Sequence, residues 1–255
     1  MAEYGSVRRA GAGVRTAEID AGLRAHMNSV YGLMSIAMAV TALVAYVVGQ
    51  DMAAAFNNQP TMILSYGMIE TMLTSPVRYI IMFAPLAVVI LFSATINRLS
   101  KTAAQGIFFL FAALMGLSIS WIFIIYTDMS IAQTFLITAI AFAGLSLWGY
   151  TTKKDISGWG TFLIMGVIGL IIASVVNIFL ESSALQFAVS AIGLLIFAGL
   201  TAYDTQKIKT TYIQMAQVPG GQEWLQKGAI MGALNLYLDF INMFMFMLQF
   251  MGGRE

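Results

Sequence analysis

Two aspartates of this sequence stand in surroundings that make a carboxylate costly. Asp204 ends a long apolar run in "GLTAYDTQKIKTTY", residues 199–212, and Asp239 lies within "NLYLDFINMF", residues 235–244. Asp239 is the only charged residue of the window 228–253. Charged groups in apolar membrane segments usually face the interior of a helix bundle and are functional candidates by default. Both aspartates are therefore candidate functional residues.

Amide side chains accompany Asp239 at helical spacing. Asn235 precedes it by four residues and Asn242 follows it by three, so in a helix the three side chains share one face. The other faces carry Met, Phe and Leu. This polar stripe predicts a helix that turns one side away from lipid, with Asn235 and Asn242 as candidate supporting ligands. A structural polar contact between helices is the alternative interpretation.

Asp204 has a candidate basic partner in Arg98. Arg98 follows the second apolar window on the side of the membrane where Asp204 ends the sixth, so its guanidinium could reach Asp204 across the bundle. An ion pair there would act as a latch between two helices. A carboxylate in the headgroup region, solvated by water near Lys207 and Lys209, is the alternative interpretation.

The chemistry of an aspartate pair follows from the cost of placing two charges in a medium of low dielectric constant. If Asp204 and Asp239 approach each other, they share a proton and titrate as a pair. When ionised, their oxygens suit calcium, a hard cation that takes about six to eight oxygen ligands. Such a site would be weak and transient, because tight binding stops passage through a pore. Protonation would also release Arg98 from Asp204, which favours a pH-sensitive gate.

Composition indicates a membrane protein. The 255 residues are 59% hydrophobic and 10% charged, whereas soluble domains carry about 25% charge. A net charge of +1 argues against nucleic-acid binding, which needs clustered basic surface. With no cysteine and a single histidine, the sequence offers no thiolate or histidine-cluster metal site, and we expect no cofactor. His26 is expected to be a solvated side chain before the first span.

Seven windows are long enough, or nearly so, to cross a bilayer, which takes about 20 apolar residues. They cover residues 27–50, 79–97, 102–127, 129–152, 156–180, 182–203 and 228–253. The apolar runs are continuous rather than alternating, which favours helices over a strand barrel. We therefore predict an all-α polytopic membrane protein, with an N-terminal arm over residues 1–26 and a transmembrane domain over 27–253. The first window is too long for a secretory signal and is predicted to be retained.

Basic residues predict the orientation of the chain. Of the 13 Lys and Arg residues, all but Arg78 and Arg254 fall on one side of the predicted spans. An excess of basic residues marks the cytoplasmic side, so the N-terminus is predicted inside and the C-terminus outside. The longest connection on the outer side covers residues 51–78. It is predicted either to lie along the membrane interface as an amphipathic helix or to form a partly ordered loop.

The depth of the aspartates decides whether they can meet. If the seventh helix enters the membrane at Gly228, Asp239 lies about 16 Å deep and Asp204 stays near the surface, too far away for contact. The two meet only if the sixth helix continues through Thr205 and Tyr212 and the seventh enters the membrane late. Residues 234–253 would still be long enough for a span.

The segments "IFAGLTAYDTQKIK" and "LNLYLDFINMFMFML" closely resemble the Bax inhibitor-1 family, specifically its bacterial members, and the resemblance extends over the chain. It places the paired aspartates of the family on Asp204 and Asp239, and its arginine at the end of the second helix on Arg98. It implies six helices around a central seventh and a pH-sensitive calcium leak in the bacterial inner membrane. The outer loop 51–78 looks long for this group, so no outer gate is inferred.

Two other functions compete with a leak channel. A membrane regulator that binds proteases or other membrane proteins is one, because family members are associated with suppression of cell death and with protein quality control. An intramembrane aspartyl protease is the other, since Tyr203-Asp204 matches half of such a site. The second half is expected as Gly-x-Gly-Asp, whereas Leu236-Tyr237-Leu238-Asp239 lacks the glycines that let a substrate backbone approach. We therefore expect no enzymatic activity.

Overall fold

A computed structural model describes the backbone of residues 3–253 and the side chains of 18–221 and 224–253. The α-helices are α1 (Glu3–Phe56), α2 (Tyr66–Thr74), α3 (Val77–Thr95), α4 (Lys101–Ile119), α5 (Ile122–Ile125), α6 (Asp128–Thr151), α7 (Trp159–Leu180), α8 (Ser183–Met215) and α9 (Gly221–Met251). A 3-10 helix, Ile96–Arg98, follows α3.

Seven of these helices contain an apolar segment long enough to cross a membrane: α1, α3, α4, α6, α7, α8 and α9. The prediction of an all-α polytopic membrane protein is confirmed. The second span, whose window was the shortest, is a continuous helix that accommodates Pro85. Proline is tolerated in spanning helices because neighbouring groups satisfy the freed backbone carbonyl.

The last helix, α9, forms the core of the bundle. In its apolar segment 67% of the residues are buried, whereas the corresponding share in the other six spans lies between 11% and 33%. It packs against α8, α1, α6 and α4. Lipid can therefore cover most of the other helices, while α9 is surrounded by protein, as predicted for the seventh span.

Hydrogen bonds tie several basic residues and loops together at one end of the bundle, which we call the basic end. Lys227 Nζ donates to the carbonyl oxygen of Asn97 at 3.2 Å, and Lys209 Nζ donates to that of Tyr150 at 2.7 Å. Gln206 fixes the loop between α6 and α7, because its amide nitrogen donates to the carbonyl oxygen of Lys154 at 2.8 Å. These contacts connect α3, α6, α8 and α9 at their basic ends.

Helix α1 passes without a break through the predicted boundary between the N-terminal arm and the first span. The boundary at residue 26 is thus a change in composition and not in backbone conformation. The side chains of Arg8, Arg9, Arg15 and Arg254, which entered the prediction of orientation, lie outside the described residues.

The segment 51–78 at the opposite end of the bundle is organised around Asp51. Helix α1 continues to Phe56, and α2 occupies Tyr66–Thr74. The buried Asp51 carboxylate accepts hydrogen bonds from the backbone N–H groups of Met62, Ile63 and Leu64, at 2.7, 2.8 and 2.7 Å. The loop between the two helices is therefore held by the Asp51 carboxylate, which was not identified from the sequence, and by the Tyr66 hydroxyl, which donates to the carbonyl oxygen of Gln59.

Candidate functional site

The two aspartates lie on α8 and α9, which form the most extensive helix pair of the bundle. Helix α8 does not end at Asp204 but continues to Met215, and a short turn leads into α9. This is the extension that the sequence analysis required for the aspartates to meet. Asp204 lies near enough to Asp239 for its charge to act on the Asp239 carboxyl group.

Asp239 is enclosed by protein, with only 4% of its surface exposed. Among the described residues, no hydrogen-bond donor reaches its Oδ2 atom. An ionised carboxylate that is buried without a partner is strongly disfavoured. A proton on Oδ2, or a cation bound to it, would satisfy this atom.

A cavity of about 370 Å³ lies at the basic end between α1, the end of α3, α8 and α9. Asp204 and Asn235, both half-buried, are part of its wall. Lys207 and Lys227 also line it. Asp204 thus faces the cavity, while Asp239 lies on the face of α9 that carries Asn235, one turn deeper in the bundle.

Lys207 is the cation that acts on the Asp204 carboxylate, and it lies one turn further along the same helix. Its Nζ atom is also 5.8 Å from the centre of the Tyr203 ring. Lys227, the second lysine of the cavity, donates to the backbone of Asn97 instead. The cavity therefore combines one carboxylate with two basic side chains.

Arg98, the predicted latch, is not brought to Asp204 in this structure. It lies at the end of the 3-10 helix with an exposed side chain, whereas its neighbours Ile96 and Asn97 line the cavity. The tight 3-10 turn directs Ile96 into the bundle and leaves Arg98 outside, which chain position alone did not reveal. Lys207, one turn along α8 from Asp204, shares the wall of the cavity with it instead.

The two candidate amides are also separated. Asn235 shares the cavity with Asp204, but Asn242 donates its Nδ2 hydrogen bond to the carbonyl oxygen of Leu238 at 2.8 Å, within its own helix. Asn242 lies on the opposite side of Asp239 from the cavity, about one turn further along α9. Only Asn235 is therefore placed to support a ligand of Asp204.

The donor set limits which metal ions the site can hold. Among the side chains described, no group of three or more His, Cys, Asp or Glu residues is close enough to hold a metal ion. Calcium takes about six to eight oxygen ligands. The two carboxylates and Asn235 could supply only part of that number, and water or backbone carbonyls would have to supply the rest.

His26 belongs to the site in a way that the sequence did not indicate. It was expected to be solvated, but its side chain is half-buried and lines the cavity. Its ring centre lies 5.0 Å from that of Tyr212 on the extension of α8. Since the partners are far apart in sequence, spacing gave no signal for this contact.

A chain of hydroxyl groups crosses the bundle next to the aspartates. Tyr31 and Ser146 are joined by a hydrogen bond of 2.6 Å, and Ser146 and Thr205 by one of 2.9 Å. Thr205 in turn donates to the carbonyl oxygen of Thr201 at 2.7 Å. These hydrogen-bonded hydroxyl groups link α1, α6 and α8 and fix the segment of α8 that carries Asp204.

Comparison with known proteins shows relatives of similar length. Residues 23–255 match the family described as "Inhibitor of apoptosis-promoting Bax1". The chain is 44% identical over 236 residues to the inner membrane protein YbhL of Escherichia coli (strain K12), covering 92% of this chain and 94% of that protein. It is 42% identical to the uncharacterized protein RP147 of Rickettsia prowazekii, covering 92% of each chain. An uncharacterized protein of Caulobacter vibrioides is 40% identical, with 93% of this chain and 92% of that protein covered.

Proposed function

The chain belongs to the Bax inhibitor-1 family, and we propose that it is a pH-sensitive calcium leak channel. Asp204 and Asp239 bind the passing ion and take up the proton that changes the gate. The protein resides in the bacterial inner membrane, as the name of its relative YbhL states for that protein. The N-terminus faces the cytoplasm and the C-terminus lies outside.

A single observation carries the proposal: a cavity at the basic end has Asp204 in its wall, and next to it lies Asp239, whose buried Oδ2 atom has no hydrogen-bond partner among the described residues. Two acids in such a position cannot both be ionised at low cost, so they hold a proton or a cation between them. Binding would be weak, because the described residues offer too few oxygen ligands for a tight calcium site. Weak binding is what conduction requires.

Arg98 supplies the latch in this mechanism. When Asp204 is ionised, its charge attracts the guanidinium, and the 3-10 helix closes over the mouth of the cavity. When Asp204 is protonated, the attraction is lost and the mouth opens. An exposed Arg98, as in this structure, is compatible with the released state of the proposed gate. Arg98 is next in the chain to Asn97, which lines the cavity.

The sign of the pH dependence follows from this mechanism. Acid neutralises Asp204 and releases Arg98, so the calcium flux rises as the pH falls from mildly alkaline to mildly acidic. Asp204→Asn and Arg98→Gln each remove the ion pair, so both variants leak at alkaline pH as wild type does in acid. Asp239→Asn abolishes the pH dependence, because it removes the second carboxylate of the pair.

The test is calcium flux into proteoliposomes that hold a calcium indicator, measured over a pH series with protein-free vesicles as background. Asp155→Asn is the matched control, because Asp155 is an exposed carboxylate at the same end of the bundle. The backbone N–H of Ser157 donates to Asp155 and lowers the pKa of that carboxyl, so Asp155 stays ionised over the series. The calcium flux of this control should depend on pH as that of the wild type does. Unchanged titration in both Asp204→Asn and Asp239→Asn would refute the aspartate pair.

The same preparation separates the competing functions. A regulator that acts by binding membrane proteins would show no flux when purified, and its partners would co-purify with it. A protease would cleave membrane-embedded substrates in a reaction that aspartyl inhibitors block. We assign the carboxylates to ion and proton binding, because the three residues before Asp239 include no glycine that would admit a substrate backbone.

A further inference from the structure

A groove runs between α1 and α6 on the side of the bundle that faces the membrane. Both helices pack on α9, but they make few contacts with each other. The part of the groove nearer the basic end has a volume of about 660 Å³, and it continues into a second part of about 520 Å³. Met38, Ala42 and Phe135 line both parts, so the two are continuous.

Hydrogen bonds join the two walls at two levels along the groove. Tyr31 on α1 is bonded to Ser146 on α6 at 2.6 Å. Near the other end, the amide nitrogen of Gln50 donates to both carboxylate oxygens of Asp128, each at 3.0 Å. The groove therefore lies between helices that are fixed in position, and it does not require a movement of the bundle to form.

The lining of the larger part changes from polar to apolar along the groove. Small residues such as Ser35, Ala39 and Ala143 form its sides, and Phe240 of α9 forms part of its floor. Small residues usually let membrane helices approach each other closely, but here they border an open space. The volume falls within the range of about 300 to 1,000 Å³ that is usual for small-molecule sites.

Positive charge and hydrogen-bonding groups collect at the basic end of the groove. Arg24 and Asn28 are exposed there on successive turns of α1, and Tyr150 lines the opposite wall. Lys209 lies against Tyr150, with its Nζ atom 5.3 Å from the ring centre and bonded to the backbone carbonyl. Guanidinium groups bind phosphate through two parallel hydrogen bonds.

We propose that this groove binds one acyl chain of an anionic phospholipid from the leaflet at the basic end, with the lipid phosphate at Arg24. From Arg24 to Ala42 the groove follows α1 for about 27 Å, more than the roughly 15 Å depth of one hydrocarbon leaflet. An acyl chain anchored at Arg24 therefore fits within it. Charge complementarity favours a lipid over an apolar helix of a second copy, because a lipid phosphate can bind the exposed Arg24 in the groove wall and an apolar helix has no group that does so.

The proposal does not depend on calcium conduction, although the groove borders the aspartate site. Phe240 follows Asp239 on α9, and Ser146 is hydrogen-bonded to Thr205, the residue after Asp204. An acyl chain in the groove would contact both Phe240 and Ser146. Lipid binding can nevertheless be measured without any assay of flux.

The experiment uses the full-length protein in phosphatidylcholine vesicles that contain phosphatidylglycerol with a photoreactive group in its acyl chain. Labelled positions are mapped by mass spectrometry, and the preference for phosphatidylglycerol is measured against a phosphatidylcholine probe. We expect labels on Ser35, Ala39 and Ala143 well above those on Ile168 and Ile171, which are exposed on α7. Ala143→Trp should lower groove labelling at least about fivefold, because its indole fills the groove.

Two control variants separate the groove from the general membrane surface. Ala87→Trp places the same ring on an exposed position of α3 and should leave groove labelling unchanged. Arg24→Gln should reduce the preference for phosphatidylglycerol about fivefold, the effect expected for one basic residue near an anionic surface. Lys101→Gln, which removes an exposed charge at the start of α4, should keep that preference.

Three results would overturn the proposal. The first is an even spread of labels between the groove and α7, and the second is an intact headgroup preference in Arg24→Gln. Crosslinks between two protein copies across the groove would instead assign it to a second copy of the chain. Because Arg24→Gln changes an exposed side chain, its result stands even if Ala143→Trp fails to fold.

Discussion

Asp239 illustrates how a residue in a membrane bundle is defined by what surrounds it. Its Oδ2 atom has no partner among the described residues, whereas the neighbouring polar side chain, Tyr237, is fully paired. Tyr237 is bonded through its hydroxyl to Thr41 at 2.6 Å, and Thr41 donates to the carbonyl oxygen of Ala112 at 2.8 Å. The other buried polar side chains that the structure describes have hydrogen-bond partners, so the Oδ2 atom of Asp239 calls for an explanation such as the proposed proton or cation.

The Thr41–Tyr237 pair leads to a prediction at the scale of single residues. Because the Thr41 hydroxyl proton is used on Ala112, Tyr237 must donate to Thr41. Tyr237→Phe removes one interhelical hydrogen bond, which is worth about 0.6 kcal/mol on average in a membrane protein. Thr41→Val leaves the buried Tyr237 hydroxyl without a partner and should cost more, about 1–3 kcal/mol.

Unfolding of the purified protein in denaturant would measure both free energies. The double variant should lose less free energy of unfolding than the two single variants lose in sum, because it contains no unpaired Tyr237 hydroxyl. Additive effects would show that the two side chains do not interact. A larger loss for Tyr237→Phe than for Thr41→Val would contradict the assigned direction of donation.

Close packing of α6 on α8 determines where Asp204 lies. A Cβ atom at Gly149 of α6 would clash with the carbonyl oxygen of Ala202, a backbone atom of α8 that cannot move aside. The absence of a side chain at Gly149 therefore sets the distance between these helices two residues before Asp204. The hydroxyl chain through Ser146 and Thr205 joins the same two helices.

The prediction for this helix contact uses two glycines of the same helix. Gly149→Ala should destabilise the protein by about 1–3 kcal/mol, because it forces α6 and α8 apart. Gly144→Ala is the matched control, since a Cβ there would meet no atom within 4 Å. Alanine favours a helix over glycine by about 1 kcal/mol, so the control should be neutral or more stable. Thermal unfolding in detergent compares the two, and equal stability of both variants would contradict the tight contact.

A second prediction at the scale of elements concerns the loop after α1. Asp51 accepts three backbone hydrogen bonds from Met62, Ile63 and Leu64. In Asp51→Asn one of the two carboxylate oxygens is replaced by an NH2 group, which cannot accept a hydrogen bond. Amide hydrogen exchange over residues 57–65 should therefore rise at least about tenfold. Glu70→Gln, an exposed change in α2, is the control and should leave exchange unchanged. Unaltered protection in Asp51→Asn would show that other contacts hold the loop.

At the scale of the whole molecule, an odd number of spans places the two termini on opposite sides of the membrane. The structure contains seven helices suited to spanning, and the basic residues Lys154, Lys209 and Lys227 interact with loops and helices at one end. An excess of basic residues marks the cytoplasmic side. The basic end is therefore predicted to face the cytoplasm.

Single introduced cysteines test this orientation directly, because the chain has no cysteine of its own. Gln217→Cys lies in the turn between α8 and α9 at the basic end, and Asn57→Cys lies in the loop after α1 at the other end, both exposed. A membrane-impermeant maleimide should label Asn57→Cys in intact cells and Gln217→Cys only after permeabilisation. The reverse pattern would place the basic end outside.

The number of spans and the identity of the two carboxylates at apolar runs, Asp204 and Asp239, were determined by the sequence itself. Each depends on a property that lies along the chain: the length of an apolar run, or a charge within one. Asp204 and Asp239 could therefore be named without any knowledge of packing. The polar stripe of Asn235, Asp239 and Asn242 could be predicted for the same reason, since helical spacing alone places their side chains on one face.

Only the tertiary structure decided which of these residues meet. Asp204 approaches Asp239 because α8 continues to Met215, while Arg98 stays exposed and Asn242 bonds within its own helix. The contact of His26 with Tyr212 and the hydroxyl chain through Ser146 join residues far apart in sequence. Such contacts depend on the rotation and crossing angles of packed helices. No local pattern in the sequence indicates these angles.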